Sequence, residues 1–387
     1  MAPIGAIKYY RVAPRWLFVT ITYLDGRVGW GEATLEGHSE AVEGCLDAFA
    51  ERFRGSKRIK LRIYGRNGYR MGFYRGGPVL MSALSGVNIA LWDLTVMITR
   101  ELNVPIYEQL GGQLRSKLKV YAWIGGDRPH DIETHANVRA KQGFTAVKMN
   151  ATEDLSWLNS PAALDSSVER PKKANASGLD VAVDFHGRLN RSTAKQLGHK
   201  LEPYESLFIE EPLLSEHVDS GGALSKLTTV PLALGERLHS RWDFKPYFKS
   251  SALDIIQPDI CHVDGISELH RIATGAEEYD VAVTPHCPLG PIALDACIQV
   301  DAVIPNFAIQ ETSLGIHYNA GSADITSYIK NPEVWNVQEG FINLMRGPGL
   351  GIEVDEDQVI EASLTARDTR PWRCGMFRGP GGELREW

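Results

Sequence analysis

The chain has 387 residues, 43% hydrophobic and 23% charged, with a formal net charge of −7. That length exceeds the roughly 250 residues of a single α/β barrel and buries a sizeable core. The negative balance argues against a nucleic-acid partner, which needs a basic face, and no apolar run approaches the ~18 residues of a membrane span.

MAPIGAIKYY, at the start, lacks a charged segment followed by an apolar stretch, so no secretory leader is expected. Cys45, Cys261, Cys287, Cys297 and Cys374 are odd in number and without CxxC spacing. Reduced thiols in a cytoplasmic protein are the expectation. Residues 8–35, KYYRVAPRWLFVTITYLDGRVGWGEATL, read as strands joined by a turn at Asp25-Gly26, with helical stretches following around 40–54 and 80–101. Residues 1–115 are therefore expected to form an α+β domain.

From about residue 119 short β-rich segments alternate with helix-like ones: KVYAWIGG, TAVKMN, DVAVDFHG, SLFIEEP, PLALGE, LDIIQPDI, VAVTPHC and FAIQET. Eight such segments predict a parallel (β/α)8, TIM-like barrel over residues 116–320. SVERPKKANASGL places Pro171 inside one of its helices, where a proline costs about 3 kcal/mol, so a broken or shortened helix is expected there. Residues 321–387 carry further strand and turn signals and are expected to pack back on that first domain. KRIKLRIYGRNGYRM, residues 57–71, is unusually basic for its place.

Polar residues end almost every barrel segment: Trp123, Lys148, Asp184, Glu210, Glu236, Asp259, His286 and Glu311, spaced by 25, 36, 26, 26, 23, 27 and 25 residues. Each step is about one βα unit, so all converge on the C-terminal mouth, where barrel enzymes keep their active sites. Asp184, Glu210 and Glu236 repel one another unless a cation lies between them. An oxygen-only donor set suits Mg2+. Glu211 adjoins Glu210, and alternation with Phe208 favours Glu210 as the inward acid. Asp259 can hold the imidazole of His286 on the neighbouring strand in one tautomer, which makes His286 a candidate general base. In VDFHGR, residue spacing of two brings Asp184 and His186 to one spot.

The motifs RWLF, GWGE, GFYRGGP, ALWD, GGDRP, VDFHGR, LFIEEP, GERLHSR, QPD, PHCPLGPIAL and GIHYN resemble the enolase superfamily, mandelate-racemase-like subgroup, and most closely its D-galactonate dehydratases. The resemblance spans nearly the whole chain. It implies Mg2+ on Asp184, Glu210 and Glu236, an α+β capping domain, formed by residues 1–115 with the C-terminal tail, that closes the barrel mouth, a small acid-sugar substrate and a homo-oligomer. His286 would then take the C2 proton of an aldonate, and Mg2+, Lys148 and Glu311 would stabilise the enediolate. His186 would protonate the departing 3-hydroxyl as general acid, yielding a 2-keto-3-deoxy acid. Racemising members carry Lys-x-Lys where this chain has Lys148-Met149-Asn150, which disfavours racemisation and suits Asn150 to hydrogen-bonding the substrate. By resemblance Arg15, Trp16, Tyr74 and Arg75 on the cap, with Trp123 and His317 from the barrel, would enclose the polyol. The rival readings are dehydration of another aldonate such as D-gluconate, epimerisation without water loss, and a non-catalytic acid-sugar-binding homologue.

Overall fold

The computed structural model describes residues 2–56, 69–70, 73–98, 104–125, 131–152, 155–316, 319, 321–367, 373, 375, 378–379 and 381–385. Strands β1 (Ile4–Val12), β2 (Trp16–Tyr23) and β3 (Val28–Glu32) form an antiparallel sheet in that order. At the β2–β3 turn Gly26 takes φ +87° and donates its N–H to the Tyr23 carbonyl at 2.9 Å, a conformation open to glycine without steric cost. Helices α1 (Ser39–Phe53) and α2 (Pro78–Ile98) pack on this sheet. From Met81 to Leu94 only Trp92 of α2 is not fully buried, so the helix needs cover all round. Glycines admit it on the sheet side: a Cβ on Gly31 would lie 2.0 Å from the Gly86 carbonyl oxygen.

A short helix α3 (Ile106–Leu110) leads into the barrel. Its chain order is β4 (Lys117–Trp123), α4 (Ile132–Lys141), β5 (Ala146–Asn150), α5 (Pro161–Asn175), β6 (Asp180–Asp184), α6 (Arg191–Leu201), β7 (Ile209–Glu210) and α7 (Val218–Leu224). Then come β8 (Leu232–Leu234), α8 (Arg241–Ser250), β9 (Ile255–Ile256), α9 (Gly265–Glu277), β10 (Ala282–Val283), α10 (Pro291–Asp301) and β11 (Gln310–Thr312). Neighbouring strands pair in parallel from β10 through β4, and β11 pairs with β4. A parallel bridge between Val283 and Phe307 closes the ring. Among the described residues 3-10 turns follow β11 in place of an eighth barrel helix. The chain returns as β12 (Phe341–Asn343), antiparallel to β4, and α11 (Glu356–Arg367) packs on β1.

Strand alternation sorts the barrel side chains into two populations. Val147, Val181, Val183, Ile209, Leu232, Leu234 and Ile256 belong to the main core cluster that also takes in the surrounding helices. The opposite face begins with an apolar floor of Tyr121, Ala146, Ala182, Phe208, Ala233 and Ile309. Two residues further along five of these six strands stand Trp123, Lys148, Asp184, Glu210 and Glu311. Period two thus lays a polar layer on an apolar floor at the C-terminal end.

Helix α5 runs through Pro171 to Asn175, contrary to the expected break. Leu164, Val168, Pro171 and Ala174 are buried along it, so the pyrrolidine ring itself belongs to the packed stripe and burial offsets the lost backbone bond. None of the described helices is long and apolar enough to cross a membrane. Cys45, Cys261, Cys287 and Cys297 are free thiols, and Cys374 lies outside the described residues.

Candidate active site

At the mouth the side chains of β5, β6, β7 and β11 meet. The Lys148 Nζ donates to Glu210 Oε1 and Oε2 at 2.6 and 2.7 Å and lies 2.9 Å from Glu311 Oε1. It also sits 5.3 Å from the centre of the Trp123 ring. Burial opposes its charge, but Glu210 and Glu311 outweigh that and hold the ammonium well above the usual lysine range. Glu210 is pushed up to about 7 by burial and by Asp184, Glu311 and Glu236, with Lys148 pulling the other way. Glu211 turns away from this cluster. It takes φ +39°, accepts from the Gly235 N–H at 3.0 Å, and burial with Glu236 nearby raises its carboxyl to about 8.

Two histidines come from opposite sides of the ring, His186 after the third barrel strand and His286 after the seventh. Each has Nδ1 on a carboxylate: His186 on Asp184 Oδ2 at 2.7 Å, His286 on Asp259 Oδ2 at 2.8 Å. The Asn150 Oδ1 is a second partner of His186 Nδ1, at 2.9 Å. Nε2 of His286 lies 3.0 Å from Glu236 Oε2. Burial disfavours both imidazolium ions, yet Asp184 raises the His186 pKa, and Glu236 with Asp259 raises that of His286 well above the usual range.

Strand alternation does not deliver His186 as the sequence pattern suggested. The strand β6 ends at Asp184, and His186 stands beyond it in the left-handed region at φ +54°. Its N–H donates to Asp184 Oδ1 at 2.6 Å, so a local turn folds the ring back onto the carboxylate. In consequence both Asp184 oxygens face His186. Among the described residues, the three groups whose ligand atoms lie within 4.8 Å of one another are Glu210, Glu236 and His286, rather than the expected trio with Asp184.

An "Enolase C-terminal domain-like" family model matches residues 131–358, and the "Mandelate racemase / muconate lactonizing enzyme, N-terminal domain" matches residues 10–111. The chain belongs to the mandelate racemase/muconate lactonizing enzyme family. It is 43% identical over 387 residues to a D-galactonate dehydratase from Variovorax paradoxus, covering 99% of this chain and 100% of that one. Among solved structures it is similar to an enolase from Agrobacterium radiobacter, provisionally a galactarate dehydratase, bound to Na and L-malate. That likeness has a TM-score of 0.88 at 30% identity and covers 100% of both chains. A mandelate racemase/muconate lactonizing enzyme from Sulfitobacter gives 0.85 at 26% identity, over 98% of this chain and 99% of that one.

The cap residues of this mandelate racemase/muconate lactonizing family member depart from expectation. Trp16 has no exposed surface; it stacks on Phe18 and meets Tyr328 edge-on, so its place is in the core and not against a substrate. The Arg15 guanidinium donates to Glu36 Oε1 at 2.6 Å, to Asn319 Oδ1 at 3.0 Å and to the Pro288 carbonyl at 3.2 Å, tying cap to barrel. Tyr74 and Arg75 are exposed, Tyr74 against the equally exposed Phe73. From this segment it is Tyr69 that stacks on a barrel ring, Trp242, with centroids 5.0 Å apart. Trp123 does reach the mouth, its ring centre 6.0 Å from that of His186. His317 lies outside the described residues, as do residues 57–68 and 71 of the basic stretch.

Two site residues escaped the sequence pattern. Gln257 donates from Nε2 to Glu210 Oε2 at 2.5 Å. It stands two positions after Ile255, a neighbour of the apolar floor, so the same parity that marks Lys148 marks it. Arg237 donates to the His186 carbonyl at 2.8 Å and lies 3.5 Å from Glu236 Oε1. No spacing rule signals it, because the backbone has left the strand by then.

Proposed function

We propose that the protein is a Mg2+-dependent acid-sugar dehydratase that converts D-galactonate to a 2-keto-3-deoxy acid. The pair of carboxylate-held histidines facing each other across an acidic mouth carries this reading. Removing water from an aldonate takes a base for the C2 proton and an acid for the 3-hydroxyl, from two positions. Support comes also from the full-length relative named D-galactonate dehydratase. L-malate, bound in the Agrobacterium structure, is itself a 2-hydroxy acid.

Asp184, Glu210 and Glu236 would hold the ion. The donor set fits in its chemistry: three hard carboxylates, Asp184 and Glu210 buried and Glu236 partly exposed, with Asp184 and Glu236 both raising the Glu210 carboxyl toward neutrality, make an excess of negative charge that a divalent cation would relieve. Asp184, whose two oxygens face His186 here, would turn one of them to the ion. A Mg2+ held there would supply the positive charge that neutralises the substrate carboxylate and so raises the acidity of C2. Asp259 keeps a proton on His286 Nδ1; Nε2, which faces Glu236 here, would be the atom that accepts the C2 proton once Glu236 is drawn to the cation and no longer favours the imidazolium. Lys148, fixed by Glu311, adds positive charge beside the substrate carboxylate. His186 donates to the leaving 3-hydroxyl, oriented by Asp184 and Asn150. Arg15 and Trp123 border the polyol end in this reading. It takes residues 1–115 as cap, 116–320 as catalytic barrel and 321–387 as the segment tying them. A homo-oligomer is part of the proposal, supported by the exposed rings of Phe73, Tyr74 and Trp157 and checked by light scattering.

The deciding experiment incubates the Mg2+-loaded enzyme with a panel of aldonates including D-galactonate and D-gluconate, and follows 2-keto-3-deoxy products by mass spectrometry. Turnover of D-galactonate above the others is expected. Preference for another aldonate would move the substrate, C2 inversion without water loss would replace dehydration, and inertness toward the whole panel would leave a binding protein.

A further inference from the structure

We propose that Glu32, on the cap sheet, is a positioning residue for the Asp259–His286 base. The inference rests on the reading of His286 as the group that takes the C2 proton. Glu32 ends β3 and has no exposed surface. Its carboxylate crosses from cap to barrel: Oε1 accepts from the Gly290 N–H at 2.9 Å, Oε2 from the Ala293 N–H at 3.0 Å, and Thr34 Oγ1 donates to Oε1 at 2.7 Å.

Gly290 precedes α10, and Ala293 lies in its first turn. The N-cap glycine offers no side chain, so the helix start is satisfied by a carboxylate from the other domain. The loop held in this way, between β10 and α10, carries His286. On the other arm, the Glu32 main-chain carbonyl accepts from Cys261 Sγ at 3.4 Å, and the Cys261 N–H donates to Asp259 Oδ1 at 2.7 Å. One cap residue therefore touches both the loop that carries the base and the loop that carries its carboxylate.

Space has been left for this contact. A Cβ on Gly290 would lie 2.6 and 2.7 Å from the two Glu32 oxygens, so any larger residue would push the carboxylate out. Burial drives the Glu32 carboxyl up to about 7 against the pull of its donors. A buried acid is a costly way to cap a helix if only stability is at stake. Misplacing a catalytic group by about 1 Å costs on the order of a hundredfold in rate, which gives the device its value.

The test is Glu32→Gln, which keeps the volume but turns an amide N–H2 toward the donors. On enzyme shown to be folded by its melting curve, kcat, KM and exchange of the C2 hydrogen in heavy water are measured beside wild type and His286→Asn. We expect kcat and exchange to fall together by about 10- to 100-fold with KM within about twofold. Gly290→Ala, with Glu32 intact, should give the same signature, and the double variant should fall no further than the worse single. Folded Glu32→Gln with wild-type kcat and exchange, a change confined to KM, or losses that multiply in the double variant would each overturn the role. If His286→Asn exchanges C2 like wild type, the base assignment itself fails and takes this proposal with it. An inert His286→Asn beside an unaffected Glu32→Gln sinks the positioning role alone. Should Glu32→Gln not fold, Gly290→Ala carries the test by the same readouts.

Discussion

His186 and His286 are fastened alike, by Nδ1 to a carboxylate, and differ in what surrounds the rest of the ring. His286 has Glu236 at Nε2, whereas His186 sits beside the Trp123 indole with Arg237 on its carbonyl. Opposite proton duties predict separable losses. Replacing His186 by Asn should remove the 2-keto-3-deoxy product by about 10²- to 10⁴-fold while C2 exchange in heavy water persists. His286→Asn should stop both. If His186→Asn stops exchange as completely as His286→Asn, the division of labour is wrong. The carboxylate cluster predicts in addition that chelation abolishes turnover and that Mg2+ restores it; undiminished turnover in metal-stripped enzyme would contradict the cation site.

Among elements, the close approach of β3 to α2 is the least forgiving contact. Gly31 meets the Gly86 carbonyl, and a Cβ on Gly86 would in turn lie 2.7 Å from Ala33 Cβ, so backbone faces backbone with no flexible side chain to yield. We therefore expect Gly31→Ala to destabilise by about 3 kcal/mol or prevent folding. Gly26→Ala serves as the contrast. The turn has open space but φ +87°, and should cost only about 1 kcal/mol. Urea unfolding of the two variants tests the ranking, and equal losses would show that the sheet–helix contact relaxes freely. Helix α5 makes a related point, since a proline on the packed stripe is carried by burial where propensity alone argues for a break.

Across the whole molecule, buried acids join parts that are far apart in sequence. Asp93 on α2 accepts from the Trp30 N–H of β3 at 2.9 Å and from the Leu350 N–H of the C-terminal segment at 3.2 Å. Burial raises its carboxyl from 3.8 to about 6. The fold thus holds this proton more tightly than the unfolded chain does. Its contribution is complete below pH ~4, is lost as pH rises through about 6, and amounts to roughly 3 kcal/mol over that window. Stability measured by urea should fall between pH 4 and pH 7, with a shallower slope in Asp93→Asn. An unchanged slope would show that Asp93 does not titrate as described.

The barrel and most of its polar layer are legible in the chain itself, because two short-range periods encode them. Apolar residues alternate along each strand, and a polar residue recurs about every 25 positions, so Lys148, Asp184, Glu210 and Glu311 can be placed at one mouth from spacing. Where the backbone leaves regular structure, those periods stop. The left-handed turn at His186, the Arg237 clamp on its carbonyl and the burial of Trp16 have no spacing signature, since each depends on which surface happens to lie opposite. Longer-range partners were decided by tertiary structure alone. Glu32 reaches Gly290 across 258 positions, and Arg15 reaches Asn319 across 304, by packing two separately patterned domains together. Sequence periodicity dictates which face of an element is buried; only the assembled fold decides what that face meets.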